Sequence, residues 1–200
     1  PDQKTAEWKR LNEAFKKLVE DHRKVIVKNE FDRIYTANGG SRMNAYTSYD
    51  HTAYFISVPA NKLELFMWME SERLLRPVFR EFYAERDVVF EERRMRTEST
   101  PLGKFFESFN SLFWESHPYS WPIIGWPSDI PAISKKQADA FYATYYMPQN
   151  LTLVLVGDFK TKPALAMAEK YFGRLKKGEG LPPDVVTLER SPAVPCDVCI

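Results

Sequence analysis

The 200-residue chain carries 28 basic and 27 acidic residues, which give a formal net charge of +1, and 44% of its residues are hydrophobic. This composition is typical of a globular protein and excludes bulk disorder, because enough apolar material is present to bury a core. The near-zero net charge argues against a dedicated nucleic-acid-binding protein. No apolar run approaches the roughly 20 residues that a membrane span requires.

Helical and strand periodicities predict an α+β domain, a largely antiparallel sheet covered by helices. Asn61 is expected to cap a helix, Ser134 and Gln137 form a capping-box pattern, and the apolar run over residues 151–157 is the most strand-like in the chain. In chain order, the predicted elements are helices over 4–27 and 30–37, strands over 43–49 and 52–58 joined by a turn, helices over 61–76, 80–98 and 104–115, an irregular segment over 117–131, a helix from 134, a strand over 151–157 and a helix over 161–173.

The two ends of the chain differ from the middle. The sequence begins at Pro1 without an initiator Met or a signal peptide, and we expect it to be part of a longer or processed protein. After residue 176, prolines and glycines without helical periodicity predict a linker or tail over 177–200. That tail carries Cys196 and Cys199, a lone CxxC pair for which we expect no functional role, and the absence of cysteine before it excludes a disulfide framework for the core.

The strongest local candidate for chemistry is an acidic pair on the helix predicted over 80–98. Glu85 and Glu92 are seven residues apart, and seven steps of about 100° bring them within about 20° of one helix face. A carboxylate on a helix can bind zinc, and a second one nearby can orient the site. The alternative is a solvated charged face, and the spacing alone favours that alternative. The arginines that accompany the pair are Arg86, Arg93, Arg94 and Arg96.

Histidine and nucleophile motifs give no further support. The three histidines, His22, His51 and His117, are too scattered to form HExxH or HxxEH, and neither GxSxG nor a core cysteine is present. We expect His22 to pack on its helix, His51 to be exposed at the hairpin turn, and His117 to cap or anchor the loop that follows it.

A longer pattern adds a family resemblance. Residues 39–54, GGSRMNAYTSYDHTAY, resemble the signature GG…NAxTSxDxTxY of the insulinase/pitrilysin zinc metallopeptidases, the peptidase M16 family. Further blocks follow in that family's order, so that the resemblance covers about residues 31–173. They are ERDVVFEE at 85–92, HPY at 117–119, FYATYYMPQN at 141–150 and LTLVLVGD at 151–158.

The resemblance implies a site and a substrate. In the family, the third zinc ligand is the Glu seven residues after the Glu of the ER pair, which corresponds to Glu92, with Glu85 as the supporting carboxylate. Asn44, Ala45 and Tyr46 fall on the edge strand that receives an extended peptide by β-augmentation. The implied fold is the family's metallohydrolase fold, and the implied partners are a peptide substrate and a second M16-type half that closes a chamber.

One departure from the family pattern is large. The other two zinc ligands and the general base come from HxxEH, which should precede the GG…NA block and is absent from residues 1–38. In the first explanation, residues 1–28 are a helical insertion and HxxEH lies upstream of Pro1, so that residues 29–176 form a partial domain truncated at its N-terminus. In the second, the parent is a non-catalytic paralogue that binds peptides or assembles with an active subunit. The presence of both Glu85 and Glu92 favours the first explanation.

These expectations fix what the chain should do. The parent is expected to be a zinc metalloendopeptidase acting on peptides or small unfolded proteins, while the isolated chain is expected to be inactive, with no catalytic residue of its own and no zinc bound. The open sheet edge left by the missing strands could also mediate homo-oligomerisation. The bacterial periplasm, or export, is the compartment that the resemblance suggests.

Overall fold

The structure is a computed structural model that describes residues 5–25, 27, 29–178 and 180–189. Within these residues the chain is α+β, dominated by helices, with a small antiparallel sheet. The elements are α1 (Ala6–Val25), α2 (Glu30–Ala37), β1 (Ser41–Thr47), β2 (Thr52–Ser57), α3 (Leu63–Leu75), α4 (Phe82–Arg93), α5 (Pro101–Phe113), α6 (Lys135–Tyr145) and α7 (Thr161–Phe172). None of the described helices is long and apolar enough to cross a lipid bilayer.

The predicted hairpin is confirmed. β1 and β2 pair antiparallel, with Asn44 opposite Phe55 and Ala45 opposite Tyr54, and the turn closes where the Ser48 N–H donates to the His51 carbonyl at 2.8 Å. The register shifts between Ser41 and Asn44, where Arg42 takes a positive φ of 57°. This irregularity is a local bulge at the start of β1, and regular pairing begins at Asn44.

Local capping is partly as predicted. The capping box of α6 is present in both directions: the Ser134 side chain accepts from the Gln137 N–H, and the Gln137 side chain accepts from the Ser134 N–H. The expectation for Asn61 is wrong, because a 3₁₀ turn over Ala60–Lys62 precedes α3 and no side chain caps that helix. The longer helix expected over 80–98 is α4 continued by a π-helical turn, Arg94–Glu98.

The strand expected over residues 151–157 is not formed. The run joins no ladder with any other described segment, and Val154 and Val156 are 71% and 93% exposed. A strand is defined by backbone hydrogen bonds to a neighbour, so β-branched composition alone cannot produce one. Most apolar side chains of this run therefore remain on the surface of the described structure, although Leu155 is half-buried.

The core lies where α3 packs against α7 and α2. Met67 and Met69 of α3, Tyr35 of α2 and Ala164 of α7 are buried. The Tyr35 hydroxyl donates to Glu70 of α3 at 2.9 Å, and burial raises the pKa of this phenol well above its ordinary value. We call α2, α3 and α7 the inner helix layer.

Hydrogen bonds and ion pairs also join α3 to α7 and to the residues just beyond it. Lys170 and Tyr171 of α7 both donate to Glu64 of α3 at 2.8 Å. Just beyond α7, Arg174 donates to Glu72 at 2.7 Å and to the buried Ser71 at 3.0 Å. These bonds supplement apolar packing at the junction of α3 and α7.

Candidate functional site

The acidic pair lies on one continuous helix. Glu85 and Glu92 both belong to α4, Glu85 is exposed, and the side chain of Glu92 is 38% exposed. Glu92 forms an ion pair with Arg96 one turn later, at 3.0 Å. In ideal helix geometry, the two carboxylates point the same way but stand about 10 Å apart along the axis, too far for both to bind one ion.

The described residues do not by themselves fit a zinc ion. Within the described ranges, no group of three His, Cys, Asp or Glu side chains is close enough together to hold a metal, whereas a zinc site in a protein needs at least three protein ligands. Glu92 can supply one of them, and Arg96, its partner in the ion pair, is exposed. Cys196 and Cys199 lie outside the described residues.

Two arginines, each adjacent to one of these carboxylates, fix the position of α4. Arg86 follows Glu85 and donates to the Pro131 carbonyl at 2.7 Å. Arg93 follows Glu92 and donates to the Gly125 carbonyl at 2.8 Å. Both ends of α4 are therefore bound to the segment between residues 125 and 131.

Arg93 is the most deeply buried charge at this site. Its side chain is 2% exposed and is paired with Glu107 of α5 at 2.6 Å and with Glu98 at 3.4 Å. The hydrogen bond that Arg93 donates to Glu107 is the main reason that the pKa of the Arg93 guanidinium is raised. The sequence alone predicts that Arg93 is a solvated charge. Its seven-residue spacing from Arg86, which matches that of the two carboxylates, is the sequence signal that the two arginines share a helix face.

The candidate peptide-binding residues lie on an exposed strand. Every residue of β1 is exposed, and β2 is its only partner among the described strands. The Ala45 N–H donates to the Asn44 side-chain oxygen at 2.8 Å, and the Tyr46 hydroxyl lies 3.3 Å from His51 Nε2. One edge of β1 is therefore open to another extended segment, which is the geometry that β-augmentation requires.

A cluster of aromatic side chains supports the tip of the hairpin. Tyr119 stacks on Tyr49 with ring centroids 4.4 Å apart and donates its hydroxyl to Asp50 at 2.6 Å, and this hydrogen bond raises the pKa of the Tyr119 phenol. His117 Nδ1 accepts from the Tyr119 N–H at 3.3 Å. The expected capping role of His117 is confirmed.

The other two histidines are both exposed, although only one of them was predicted to be. His51 is exposed at the turn, as expected, with Nδ1 2.8 Å from the Ser48 hydroxyl. His22 is also exposed, so the packing expected for it is wrong.

Between the described residues of α4 and β1, no hydrogen bond or ion pair joins Glu85 or Glu92 to Asn44, Ala45 or Tyr46.

Several known proteins resemble this chain in sequence. The family model for insulinase, peptidase family M16, matches residues 17–125, and the model for the peptidase M16 inactive domain matches residues 132–198. The zinc protease PqqE of Helicobacter pylori is 37% identical over 149 residues, which are 74% of this chain and 33% of that protein. The probable zinc protease PqqL of Escherichia coli is 31% identical over 145 residues, 68% of this chain and 15% of that protein.

Solved structures agree with the sequence relatives. A protease from Helicobacter pylori superposes with a TM-score of 0.76 at 35% identity, over 80% of this chain and 40% of that one. The first half of the periplasmic protease PqqL from Escherichia coli gives a TM-score of 0.67 at 26% identity, over 76% of this chain and 34% of that one. The chain spans about a third of the length of PqqE and of several other relatives. Because the insulinase model matches more than half of this chain's residues, the chain belongs to peptidase family M16.

Proposed function

We propose that this chain forms part of a zinc metalloendopeptidase that cleaves peptides or small unfolded proteins. The observation that carries the proposal is the open edge of β1 in a chain that also presents Glu85 and Glu92 on one helix. Relatives named zinc protease in Helicobacter pylori and Mycobacterium support the metal and the class of reaction.

In this proposal, β1 binds the substrate. An extended peptide would add to the free edge of β1 at Asn44, Ala45 and Tyr46, where backbone hydrogen bonds recognise any sequence and exposed side chains distinguish between sequences. Unfolded or short peptides fit this mode because their backbone groups are unpaired. A peptide that bonds to the Ala45 N–H has to displace the Asn44 side-chain oxygen that now accepts from it.

The metal requires residues beyond this sequence. We propose Glu92 as one zinc ligand and Glu85 as a carboxylate that supports a neighbouring ligand rather than the ion itself, because of their separation along α4. Two further ligands and the general base would come from an HxxEH motif outside these 200 residues. Zinc held by such a set of ligands would supply an activated water molecule for attack on the peptide carbonyl.

It follows that the isolated chain should be inactive and should bind zinc poorly. The test is a peptidase assay of the 200-residue chain with unstructured peptides, with and without added zinc, against the full peptidase that carries HxxEH together with these residues. We expect cleavage by the full peptidase alone. Zinc-dependent cleavage by the 200-residue chain would contradict the assignment of the base and the histidine ligands to residues outside it.

The role of β1 has its own test in the full peptidase. Ala45→Pro removes the N–H donor, whereas Ala45→Gly keeps it, so the pair isolates the hydrogen bond from the side chain. We expect Ala45→Pro to lower kcat/KM about tenfold, chiefly through KM, with bound zinc unchanged and Ala45→Gly near the parent value. An unchanged KM in Ala45→Pro would remove β1 from substrate binding.

The second candidate is a peptide-binding or assembly subunit without catalysis. It is favoured by the fact that the β1 edge is present within the described residues while a full set of zinc ligands is not. The sequence before Pro1 distinguishes the two: an intact HxxEH supports the peptidase, and a degenerate one supports the binding subunit. In either case we propose a second M16-type half as a partner and the bacterial periplasm as the compartment, as for PqqL.

A further inference from the structure

The segment after α7, residues 180–189, which we call the strap, is held by polar contacts rather than by burial. Near its start, Gln149 donates from Nε2 to the Gly180 carbonyl at 2.7 Å and accepts from the Gly178 N–H at 3.1 Å. Along its length, Val185 and Val186 are 65% and 83% exposed. Apolar packing therefore does not determine the path of the strap.

The far end of the strap is bound by one carboxylate. Glu189 accepts hydrogen bonds from three consecutive backbone amides just after α5: those of Glu115 at 3.1 Å, Ser116 at 3.2 Å and His117 at 2.9 Å. The Ser116 hydroxyl also donates to the Leu188 carbonyl at 2.9 Å. Successive amides directed at one anion form a concave binding site, and bonds to an ionised acceptor are among the stronger hydrogen bonds in proteins.

The same three amides lead directly to the tip of the β1–β2 hairpin. The ring of His117 packs edge-on against Tyr119, with centroids 4.4 Å apart. Tyr119 in turn stacks on Tyr49 and donates to Asp50. An unbroken series of contacts therefore runs from the carboxylate of Glu189 to the turn between the strands.

We propose that the amides of residues 115–117 form a carboxylate-binding site whose ligand is Glu189 of the same chain, and that this latch couples the strap to the β1–β2 hairpin. A displacement of the strap would withdraw the acceptor from His117, loosen the stacking under Tyr119 and so increase opening of the turn. The proposal does not depend on zinc, HxxEH or peptidase activity.

Amide hydrogen exchange, resolved by residue on the 200-residue chain, tests the latch. Glu189→Ala removes the acceptor, and Asp184→Ala is the matched control. Asp184 is an exposed acid of the same strap, whereas the carboxylate that accepts from these three amides is that of Glu189. We expect Glu189→Ala to accelerate exchange at Ser116 and His117 by about tenfold, with the control unchanged. At Ser48, whose N–H closes the hairpin turn, we expect about a twofold to threefold acceleration.

Each other outcome contradicts part of the proposal. Unchanged exchange at Ser116 and His117 would overturn the latch, and so would equal acceleration in Asp184→Ala. Acceleration at these amides with unchanged exchange at Ser48 would overturn the coupling to the hairpin. Uniform acceleration of exchange through α3 would show that Glu189→Ala destabilises the whole chain. In that case, the milder Glu189→Gln must still give acceleration confined to the latch and the turn. Uniform acceleration in both variants would overturn the proposal.

Discussion

The inner helix layer and the candidate residues on α4 and β1 differ in the burial of their side chains and in how far away in sequence their partners lie. In the layer, Met67, Met69 and Ala164 are buried and the polar contacts join helices far apart in sequence. On α4 and β1, the candidate side chains are exposed or half-exposed, and Glu92 is paired only one helical turn away, with Arg96. Side chains that are free to meet a ligand contribute little to folding, so stability has to come from elsewhere.

The arginines of α4 show how stability of the fold and access to a ligand coexist on one helix. Arg93 is buried and joins α4 to α5 and to the Gly125 loop, while its neighbour Glu92 stays accessible. A helix can present a reactive side chain on one face and an anchoring side chain on the next, because adjacent residues are about 100° apart. Changes to these two classes of residue should therefore have separable effects.

The largest loss of stability is expected from Arg93→Ala. The change leaves Glu107 without its buried partner, and such losses cost about 3–5 kcal/mol. The control is Arg94→Ala, because Arg94 is an exposed residue of the same type that pairs with Glu91 and should contribute less than about 1 kcal/mol. Urea unfolding of both variants measures the difference, and similar midpoints would show that burial of Arg93 does not anchor α4.

A comparable but smaller loss is expected in the inner helix layer. Met67→Ala creates a cavity at a fully buried position and should cost about 2–5 kcal/mol, whereas Met95→Ala removes a side chain that is 66% exposed and should cost less than about 0.5 kcal/mol. Thermal unfolding followed by circular dichroism compares the two. Equal melting temperatures would place the core of the chain outside this layer.

The smallest effect is expected at the surface junction of α3 and α7, and it depends on pH. The hydrogen bond from Lys170 is the main cause that lowers the pKa of Glu64 below its ordinary 4.5. A carboxylate with a depressed folded-state pKa stabilises the fold above its ordinary pKa, and that contribution is lost as pH falls through the folded-state value.

Glu64→Gln should therefore have a slightly lower melting temperature than the parent at pH 7, and the gap should close as pH falls below 4.5. Added salt should narrow the gap at pH 7, because the pair is exposed. The matched control is Glu7→Gln, on exposed α1. A gap that widens towards low pH would have the wrong sign for this interaction.

Local signals in the sequence predicted local structure well. The Ser134 capping box, the turn between β1 and β2 and the capping role of His117 depend on residues within a few positions of one another, and all three are present. The family resemblance, carried by the GG…NA and ERDVVFEE blocks, is confirmed by the match to the M16 model. The assignments of Glu92, Glu85 and residues 44–46 remain predictions.

Features that depend on distant partners were not predicted correctly. The run over residues 151–157 has the composition of a strand, but a strand needs a neighbouring ladder, and composition does not show whether one exists. Arg93 was grouped with solvated charges, because its partners Glu107 and Gly125 are 14 and 32 residues away. The Glu189 contact, which spans more than 70 residues, left no pattern in the sequence at all.

The assignment of Glu92 is tested most directly by bound zinc. In the full peptidase, Glu92→Gln and Glu91→Gln are a matched pair, because both carboxylates lie on α4 and each is paired with an arginine of the following turn. We predict that Glu92→Gln loses zinc and activity after dialysis while Glu91→Gln keeps one zinc per molecule and its activity. Full zinc occupancy and activity in Glu92→Gln would contradict the assignment.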